Sequence, residues 1–387
     1  MSRITSRAAG FERSKIRVMF ELAEEQGGDL VRLEVGEPDF DTPEHIIDAA
    51  ERAARDGKTH YTSGAGIPEL RSAIAERMTD ETGVSVDPER HVSVTTGAME
   101  SLFLALEAIA EPGDEVLIPT PAWPNYRNQV RLAEATPVEI PLSADDGFDL
   151  DPNRIIEHLN RDTAAVILTT PSNPTGQVYD EDAVKAVVEA AEKHDVFVIA
   201  DEVYARLTDG DHRRVAAYTD YPEGLLTVDS CSKTYAMTGW RLGWLVGPED
   251  VIEAVTNLGE STTACPSSVG QHAALAALTG PQDPVREMRT AFVERRDYLV
   301  NRVEEVPNIS CPRPDGAFYA FLDVNELDGN SEDVARRLLS EYGVVTAPGS
   351  GFGDAGEGFV RLSFANSMER IELGLDRLEE MVEDERN

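Results

Sequence analysis

Seven short apolar runs, separated by segments with helical spacing, constrain the fold of this chain more than any other feature. Helices are predicted between the runs at 98–110, 124–133, 152–159 and 181–194. Such alternation is typical of a largely parallel sheet that helices cover on both faces. The sequence therefore predicts an α/β fold with a mostly parallel seven-stranded sheet, whose strands are the runs at 92–95, 115–118, 137–140, 164–168, 196–199, 225–228 and 242–246.

The last strand and the C-terminal part of the chain depart from this alternation. Too few residues join 225–228 to 242–246 for a long crossover, so the final strand is expected to run antiparallel. Beyond it, a charged amphipathic helix is followed by further short strands and helices. We therefore predict a large domain at 43–283 and a smaller α+β domain formed by both termini, at 1–42 plus 284–387.

The charge balance excludes several classes of partner. The 387 residues include 35 basic and 72 acidic side chains, and 35 − 72 gives a net charge of −37. A field of this sign repels nucleic acids and anionic membranes, so neither is expected as a partner. The acidic excess and the scarcity of lysine suggest a salt-rich, halophilic cytosol, where ~1 M salt shortens the Debye length to about 3 Å and screens self-repulsion. An acidic protein of a mesophile is the alternative.

The sequence predicts neither export, nor a membrane span, nor a metal site. The first twenty residues carry charges throughout and lack the apolar segment of a signal peptide. No run approaches the ~20 apolar residues that a span requires. Cys231, Cys265 and Cys311 lack metal-ligand spacing, and their odd number argues against a disulfide framework. A cytoplasmic protein is therefore expected.

Chemically active side chains follow the predicted strands. In open α/β sheets, ligands bind beyond the carboxyl ends of the strands. After the run at 92–95, Gly97 opens a helix at Ala98 and Met99, and a helix N-terminus offers backbone N–H groups to an anion. At the same sheet edge we expect the side chains of Trp123, Asn173, Asp201, Tyr204, Ser230, Lys233 and Arg241.

Lys233 is the candidate nucleophile among these residues. It lies at the exit of the core strand 225–228, whereas the other four lysines stand in strongly polar surroundings. An amine at such a place is partly desolvated, which lowers its pKa and favours the nucleophilic form. A lysine that merely caps the strand end is the alternative.

Together these groups suit a flat, phosphorylated, electron-withdrawing cofactor that condenses with lysine. Pyridoxal 5'-phosphate has these properties, and it requires a Schiff-base lysine and a partner for its pyridine nitrogen. Asp201 is assigned to that nitrogen, and Tyr204 with Asn173 to the neighbouring ring oxygen. Trp123 is expected to stack on the ring face. The phosphate is assigned to Ser230, Arg241 and the backbone at Ala98 and Met99.

The stretch at 230–243, Ser-Cys-Ser-Lys-Thr-Tyr-Ala-Met-Thr-Gly-Trp-Arg-Leu-Gly, resembles the signature of class I aminotransferases, which are fold-type I pyridoxal phosphate enzymes. The chain is therefore identified as a member of the class I/II aminotransferases, similar to the aspartate aminotransferase subgroup. Further segments resemble family motifs along essentially the whole chain, at 36–40, 61–62, 66–71, 171–176, 201–204, 316–319 and 361–364.

The resemblance implies transamination between an L-amino acid and a 2-oxo acid such as 2-oxoglutarate. Lys233 then forms the Schiff base with the cofactor and moves the substrate proton in a ping-pong reaction. Asp201 and Tyr204 are the other implied catalytic residues.

The resemblance also implies how the substrate and a second chain bind. Arg361 is similar to the arginine that clamps the substrate α-carboxylate, aided by Asn173 and the backbone at Gly36. A homodimer with shared active sites is implied, in which Tyr61 reaches the phosphate from the partner chain.

One position departs from the aspartate-specific pattern of the family. In aspartate-specific members, the residue aligned with Met99 is a lysine that pairs with the side-chain carboxylate of the substrate. Met99 cannot form that pair, and Ile16 near the expected pocket mouth is also apolar. An apolar or broad amino donor is therefore expected, unless Arg127 supplies the missing charge.

Other functions stay open from the sequence alone. The same cofactor and fold serve β-lyases, decarboxylases and cyclopropane-forming synthases, which cofactor-binding motifs do not distinguish. A cofactor-sensing regulator would carry a DNA-binding module ahead of this domain, and none is expected before Leu33. A nicotinamide dehydrogenase is not favoured, because the glycines at 64–66 and 349–351 do not join a core strand to a helix.

Overall fold

The computed structural model describes residues 4–11, 13–210, 212–219 and 222–386, and helices and strands alternate along them. The strands are β1 Val31–Arg32, β2 Val92–Thr95, β3 Glu115–Thr120, β4 Thr136–Pro141, β5 Thr163–Thr169, β6 Phe197–Asp201, β7 Leu225–Ser230, β8 Gly243–Val246, β9 Tyr319–Asp323, β10 Val344–Val345, β11 Ala347–Pro348 and β12 Phe359–Ser363. The helices are α1 Ser6–Ala9, α2 Lys15–Gln26, α3 Glu44–Arg55, α4 Pro68–Thr82, α5 Ala98–Ile109, α6 Asn125–Leu132, α7 Pro152–His158, α8 Glu181–His194, α9 Cys231–Thr234, α10 Glu249–Thr262, α11 Ser268–Thr279, α12 Asp283–Glu305, α13 Ser331–Tyr342 and α14 Met368–Arg386.

The largest sheet has seven strands in the order β2-β8-β7-β6-β5-β3-β4. The neighbours from β7 to β4 pair in parallel, whereas β8 runs antiparallel to both β2 and β7. The predicted seven strands, their mostly parallel arrangement and the antiparallel last strand are therefore confirmed. The order places the carboxyl ends of β5, β6 and β7 side by side at one edge.

Helices cover both faces of this sheet because its central strands are apolar on both sides. Along a strand, successive side chains point to opposite faces. Val166 and Val198 accordingly share a buried cluster with Val187 of α8. Ile167 and Ile199, one residue further along, share a different cluster with helices on the opposite face. Buried apolar surface on both faces holds the sheet rigidly, so the strand ends are stable supports for a site.

The C-terminal part of the chain forms a second group of strands and helices. The strands β11-β12-β9 make an antiparallel sheet, and β1 pairs in parallel with β10. The N-terminal helix α2 packs against α13, β10 and β11, and Met19 of α2 lies in one apolar cluster with Leu338 and Leu375. Elements from both termini thus pack together, while the exact division at 43 and 283 stays a prediction.

The helices α10 and α11 were not predicted from the sequence. In α11, the buried side chains include Ala273, Ala274 and Ala277, and this helix packs closely against α3. Small residues on the buried face give little of the apolar periodicity that reveals a helix in sequence. Among the described residues, no helix is both long and apolar enough for a membrane crossing.

Candidate active site

A cavity of about 480 Å³ opens at the edge where β5, β6 and β7 end. Part of its wall comes from the N-terminal segment, through Ile16, Arg17 and Phe20. Every site residue predicted from the sequence lines it except Tyr61. These are Gly36, Ala98, Met99, Trp123, Asn173, Asp201, Tyr204, Ser230, Lys233, Arg241 and Arg361.

Tyr61 is the one predicted site residue outside the cavity. Its side chain is 90% exposed, although tyrosine is usually at least partly buried. The predicted contact with the phosphate of a partner chain therefore stays a prediction.

Lys233 lies in the short helix α9, which begins directly after β7. Its Nζ donates a hydrogen bond to the carbonyl oxygen of Gly36 at 2.6 Å. Desolvation lowers the pKa of this amine to about 8, opposed by the carboxylate of Glu37, while the nearby Arg361 and Arg241 lower it further. The neutral, nucleophilic form of Lys233 is therefore populated much closer to neutral pH than that of an ordinary lysine.

Asp201 is the last residue of β6 and is buried. The hydroxyl of Tyr126 donates to its Oδ2 at 2.6 Å, and the backbone N–H of Val203 donates to its Oδ1 at 3.3 Å. Burial raises the pKa of Asp201 to about 6, and the bond from Tyr126 works in the opposite direction. At neutral pH this carboxylate is ionised and held in one orientation.

Tyr126 is a site residue that follows β3 in the sequence and to which the sequence assigns no role. It lies in α6, and its hydroxyl also accepts a hydrogen bond from Thr169 Oγ1 at 2.7 Å. Its ring meets that of Trp123 edge to face, with centroids 5.4 Å apart. The only sequence signal was the position of Tyr126 shortly after the end of β3.

Tyr204 forms a second buried hydrogen bond, between its hydroxyl and that of Tyr319 at 2.8 Å. Burial raises the pKa of both phenols, so both are neutral at neutral pH. Tyr319 is the first residue of β9. A Cβ on Gly36 would lie 2.5 Å from the Tyr319 hydroxyl, so glycine is required for the close approach of these two segments.

Arg361 lies in the middle of β12 and is only 2% exposed. Its Nη1 donates to Asn173 Oδ1 at 3.1 Å and its Nη2 to the Glu34 carbonyl, but its Nε has no partner. The rings of Tyr319 and Phe352 lie 4.4 and 5.1 Å from the guanidinium carbon. No carboxylate of the described residues forms a salt bridge with it. A buried cation with an open donor and no carboxylate in salt-bridge contact is suited to bind an anionic ligand.

The N-terminus of α5 and Arg241 form a second place for an anion. Gly97, with φ of +82°, turns the chain into α5, and a Cβ there would lie 2.7 Å from Arg241 Nη2. The guanidinium is held by a bond from Nη1 to the carbonyl of Thr238 at 2.7 Å. Ser230 lines the same cavity and caps α9 by accepting from Ser232 N. Backbone N–H groups, a hydroxyl and a guanidinium suit a phosphate.

Side chains without charge form much of the remaining wall. The Met99 sulfur lies 3.5 Å from Gln129 Nε2. Arg17 is partly occupied by Glu21, whose Oε1 lies 3.5 Å from its Nε. Arg127, which the sequence left as a source of positive charge, does not line the cavity and instead pairs with Glu139 at 2.9 Å.

These residues fit pyridoxal phosphate. One cavity holds an amine with a lowered pKa, an ionised carboxylate, and an arginine beside a helix N-terminus, a pair that suits a phosphate. The unpaired Nε of Arg361 is a separate, buried donor that suits a carboxylate. No single one of these features is diagnostic, and their convergence at one edge is what favours this cofactor.

Comparison with known proteins decides the family. A sequence model described as "Aminotransferase class I and II" matches residues 28–378. The chain belongs to the class I and II aminotransferases. An aspartate aminotransferase of Pyrococcus horikoshii is 39% identical over 385 residues, covering 99% of this chain and 98% of that protein.

Solved structures of other aminotransferases match the fold closely. Aspartate aminotransferase of Thermus thermophilus with maleate superposes with a TM-score of 0.94 at 39% identity, covering 98% of this chain and all of that one. Alanine aminotransferase of Pyrococcus furiosus gives the same TM-score at 34% identity, covering 99% of this chain and all of that one. The chain is a pyridoxal-phosphate-dependent aminotransferase, and the lyase, decarboxylase and synthase alternatives are not favoured.

Proposed function

We propose that this aminotransferase moves the amino group of a broad range of L-amino acids to 2-oxoglutarate in a ping-pong reaction centred on Lys233. The single observation that supports it most is the pair formed by Lys233 and Arg361 in one cavity. One supplies an amine with a lowered pKa, and the other supplies a buried cation with an open donor. An α-amino acid carries the two complementary groups, an α-carbon proton and a carboxylate.

Proton transfer is assigned to Lys233, and Asp201 and Tyr204 are assigned to the cofactor ring. Bound pyridoxal phosphate supplies the electron-withdrawing ring that stabilises negative charge at the substrate α-carbon. Ionised Asp201 keeps a proton on the ring nitrogen, and Tyr126 holds that carboxylate in place. The neutral amine of Lys233 takes the α-carbon proton and returns it on the cofactor side. Tyr204 donates to the ring oxygen.

We assign the binding roles to residues that line the cavity. The backbone at Ala98 and Met99, with Ser230 and Arg241, holds the phosphate. Trp123 covers a ring face, and Asn173 serves both the ring oxygen and Arg361. The substrate α-carboxylate binds between Arg361, Asn173 and the backbone at Gly36.

The amino donor is proposed to be broad, with apolar side chains accepted. Ile16, Phe20 and Met99 line the cavity, and Arg17, which also lines it, is already partly occupied by Glu21. A charged substrate side chain would lose water there without gaining a dedicated partner. One solved relative is named for aspartate, which has a charged side chain, and the other for alanine, which has an apolar one. The names of the relatives therefore do not decide the donor.

A half-reaction screen tests the donor. The holoenzyme is mixed with each common amino acid, and the change in the absorbance of the bound cofactor is followed. We expect leucine, methionine and phenylalanine to react at least as efficiently as aspartate. Met99→Lys is the matched variant, and it should raise kcat/KM for aspartate by roughly tenfold, about 1.4 kcal/mol of added binding. A wild-type preference of more than tenfold for aspartate would contradict the proposal.

The assembly is proposed to be a cytoplasmic homodimer with shared active sites. The almost fully exposed Tyr61 supports this assembly, because its hydroxyl is then available to the cofactor phosphate of a second chain. Phosphate and phenol hydroxyl form a charge-assisted hydrogen bond once they meet.

The protein is also proposed to be adapted to high salt. Its net charge of −37 opposes the compact state, and salt screens that repulsion. We expect Tm to rise by roughly 5 °C between 0.1 and 2 M KCl, or about 4 kcal/mol for a chain of this size. Calorimetry at both concentrations measures it. An equal rise in sucrose, which does not screen charge, would show that screening is not the cause.

A further inference from the structure

The strand ends that present Asp201 and Ser230 to the cavity carry a second pair of polar side chains, Glu202 and Asp229. Asp201 is paired with Val228 across β6 and β7, and the N–H of Glu202 donates to the Val228 carbonyl at 2.9 Å. Because side chains alternate along a strand, Glu202 and Asp229 point away from the cavity. Both are buried, at 0% and 5% exposure.

One guanidinium, that of Arg214, binds both of these carboxylates. Its Nη1 lies 3.2 Å from Glu202 Oε2, and its Nη2 lies 2.7 Å from Asp229 Oδ2. The third nitrogen, Nε, donates to Glu81 of α4. The Arg214 side chain is 3% exposed, so all of this takes place away from solvent.

The remaining bonds of the two carboxylates connect them to the backbone near the site. Glu202 Oε1 accepts from Val215 N at 2.8 Å, and Asp229 Oδ1 accepts from Ser230 N at 2.6 Å. Each carboxylate that Arg214 binds is the chain neighbour of a proposed site residue. Glu202 follows Asp201, which is proposed to face the ring nitrogen, and Asp229 precedes Ser230, which is proposed to hold the phosphate.

Removal of Arg214 would leave the buried carboxylates of Glu202 and Asp229 without their positive partner. Burial raises the pKa of Glu202 to about 7 and raises the pKa of Asp229, and Arg214 lowers both. His212 lies 3.9 Å from Glu202, but burial lowers its pKa to about 4, so it brings no positive charge. Glu81 adds a further negative charge, and its other partner is Arg206 at 2.7 Å.

The charge of Asp229, although its side chain points away from the cavity, also affects the pKa of Asp201 inside it. Asp229 contributes to raising the pKa of Asp201, in the opposite direction to Lys233. With Arg214 absent, an ionised Asp229 would act on Asp201 without compensation. A change at position 214 is therefore felt at the carboxylate that faces the cofactor.

We propose that Arg214 is a positioning residue for transamination: it binds Glu202 and Asp229 together, holds Asp201 and Ser230 in register at the cavity edge, and balances the negative charge of Asp229 that acts on Asp201. The inference rests on the proposed roles of those two residues. The alternative is a buried ion pair that affects stability alone, since removing one partner of such a pair is strongly destabilising.

The test compares Arg214→Met with Arg206→Met as the matched control. Arg206 also pairs with Glu81 but does not touch Glu202 or Asp229. For each holoenzyme, the absorbance of the bound cofactor is titrated between pH 5 and 9, and the cofactor dissociation constant is measured. We expect Arg214→Met to raise the absorbance midpoint by about one pH unit and to weaken cofactor binding at least tenfold, because unpaired negative charge favours protonation. Arg206→Met should shift the absorbance midpoint by less than about 0.3 pH unit, which is twofold in the proton equilibrium, and should change the cofactor dissociation constant by less than twofold.

A double variant separates charge from packing. Asparagine at 229 keeps the acceptor for Ser230 N and removes the charge, so Arg214→Met with Asp229→Asn should return the absorbance midpoint most of the way to the wild-type value. In Arg214→Met itself, the unpaired carboxylates have folded pKa values above their unfolded ones. Stability is therefore retained at low pH and lost as pH rises from about 5 to 8, and melting at pH 6 checks that the variant is folded.

Two outcomes overturn the inference. If Arg214→Met melts earlier but keeps the wild-type absorbance midpoint and cofactor affinity, Arg214 is a structural ion-pair partner only. If the double variant keeps the shifted absorbance midpoint of the single one, the charge of Asp229 does not act on Asp201, and Arg214 has no charge to balance there. An unchanged absorbance titration in Asp201→Asn would instead contradict the proposed role of Asp201, which distinguishes the two failures.

Discussion

Replacing Lys233 with alanine is expected to lower the transamination turnover by about four orders of magnitude. That is the upper end of what a positioned acid–base group contributes, and this amine is also the nucleophile for the cofactor. No other lysine of the described residues lines the cavity. Stopped-flow absorbance of the half-reaction with a single amino acid measures the effect directly, because it isolates the proton transfer from the second oxo acid.

Two variants make the Lys233 result specific. Arginine at 233 keeps a positive charge but does not deprotonate in a protein, so it should be as inactive as alanine. Lys193→Ala, at the exposed end of α8, removes a lysine of ordinary surroundings and should leave turnover unchanged. If alanine at 233 retained a tenth of the wild-type turnover, the proton-transfer role would have to be given to another group.

Replacing Arg361 with methionine is expected to lower kcat/KM for amino acids by about 10²–10³-fold. Loss of one partner from a buried, hydrogen-bonded charge pair costs about 2–5 kcal/mol, and each 1.4 kcal/mol is tenfold. Lysine at 361 keeps the charge but loses the fork toward Asn173, so an intermediate loss is expected. Steady-state kinetics with the amino acid and with the 2-oxo acid should show the same loss, because both carry the carboxylate.

The carboxylate itself supplies the control for Arg361. An amine that lacks an α-carboxylate reacts poorly with the wild-type enzyme, and its rate should not fall further in Arg361→Met. Arg336→Met, which removes an exposed arginine paired with Glu332 on α13, should leave all rates unchanged. An equal loss for substrates with and without the carboxylate would mean that Arg361 acts on the fold of the site rather than on the substrate.

The parts of the site that follow strands were accessible from the sequence. Short apolar runs indicate buried strands, and the fold class alone places the residue after each run at the sheet edge. Lys233 and Asp201 were found in this way, and the cavity does contain both. Arg361, in contrast, was found through the family resemblance, because its position in the middle of β12 has no local signal.

The residues behind the site were not accessible from the sequence. Arg214 stands in a polar segment with several charges, where an arginine is expected to be solvated. Its three carboxylate partners come from α4, the end of β6 and the end of β7, and only the tertiary structure brings them together. Arg127 is the converse case: the sequence leaves the direction of its side chain open, and the structure pairs it with Glu139.

The antiparallel pairing of β7 with β8 has a consequence for how the amine of Lys233 moves. Ser230 and Gly243 face each other across the two strands, and Cys231 N donates to the Leu242 carbonyl at 3.1 Å. The connection that carries Lys233 thus begins and ends at one pair of facing residues, so the backbone at its base is tied to the sheet. The travel of the amine is then set by the length of its four-carbon stem. A shorter amine-bearing side chain at this position would leave a gap that the backbone has no freedom to close.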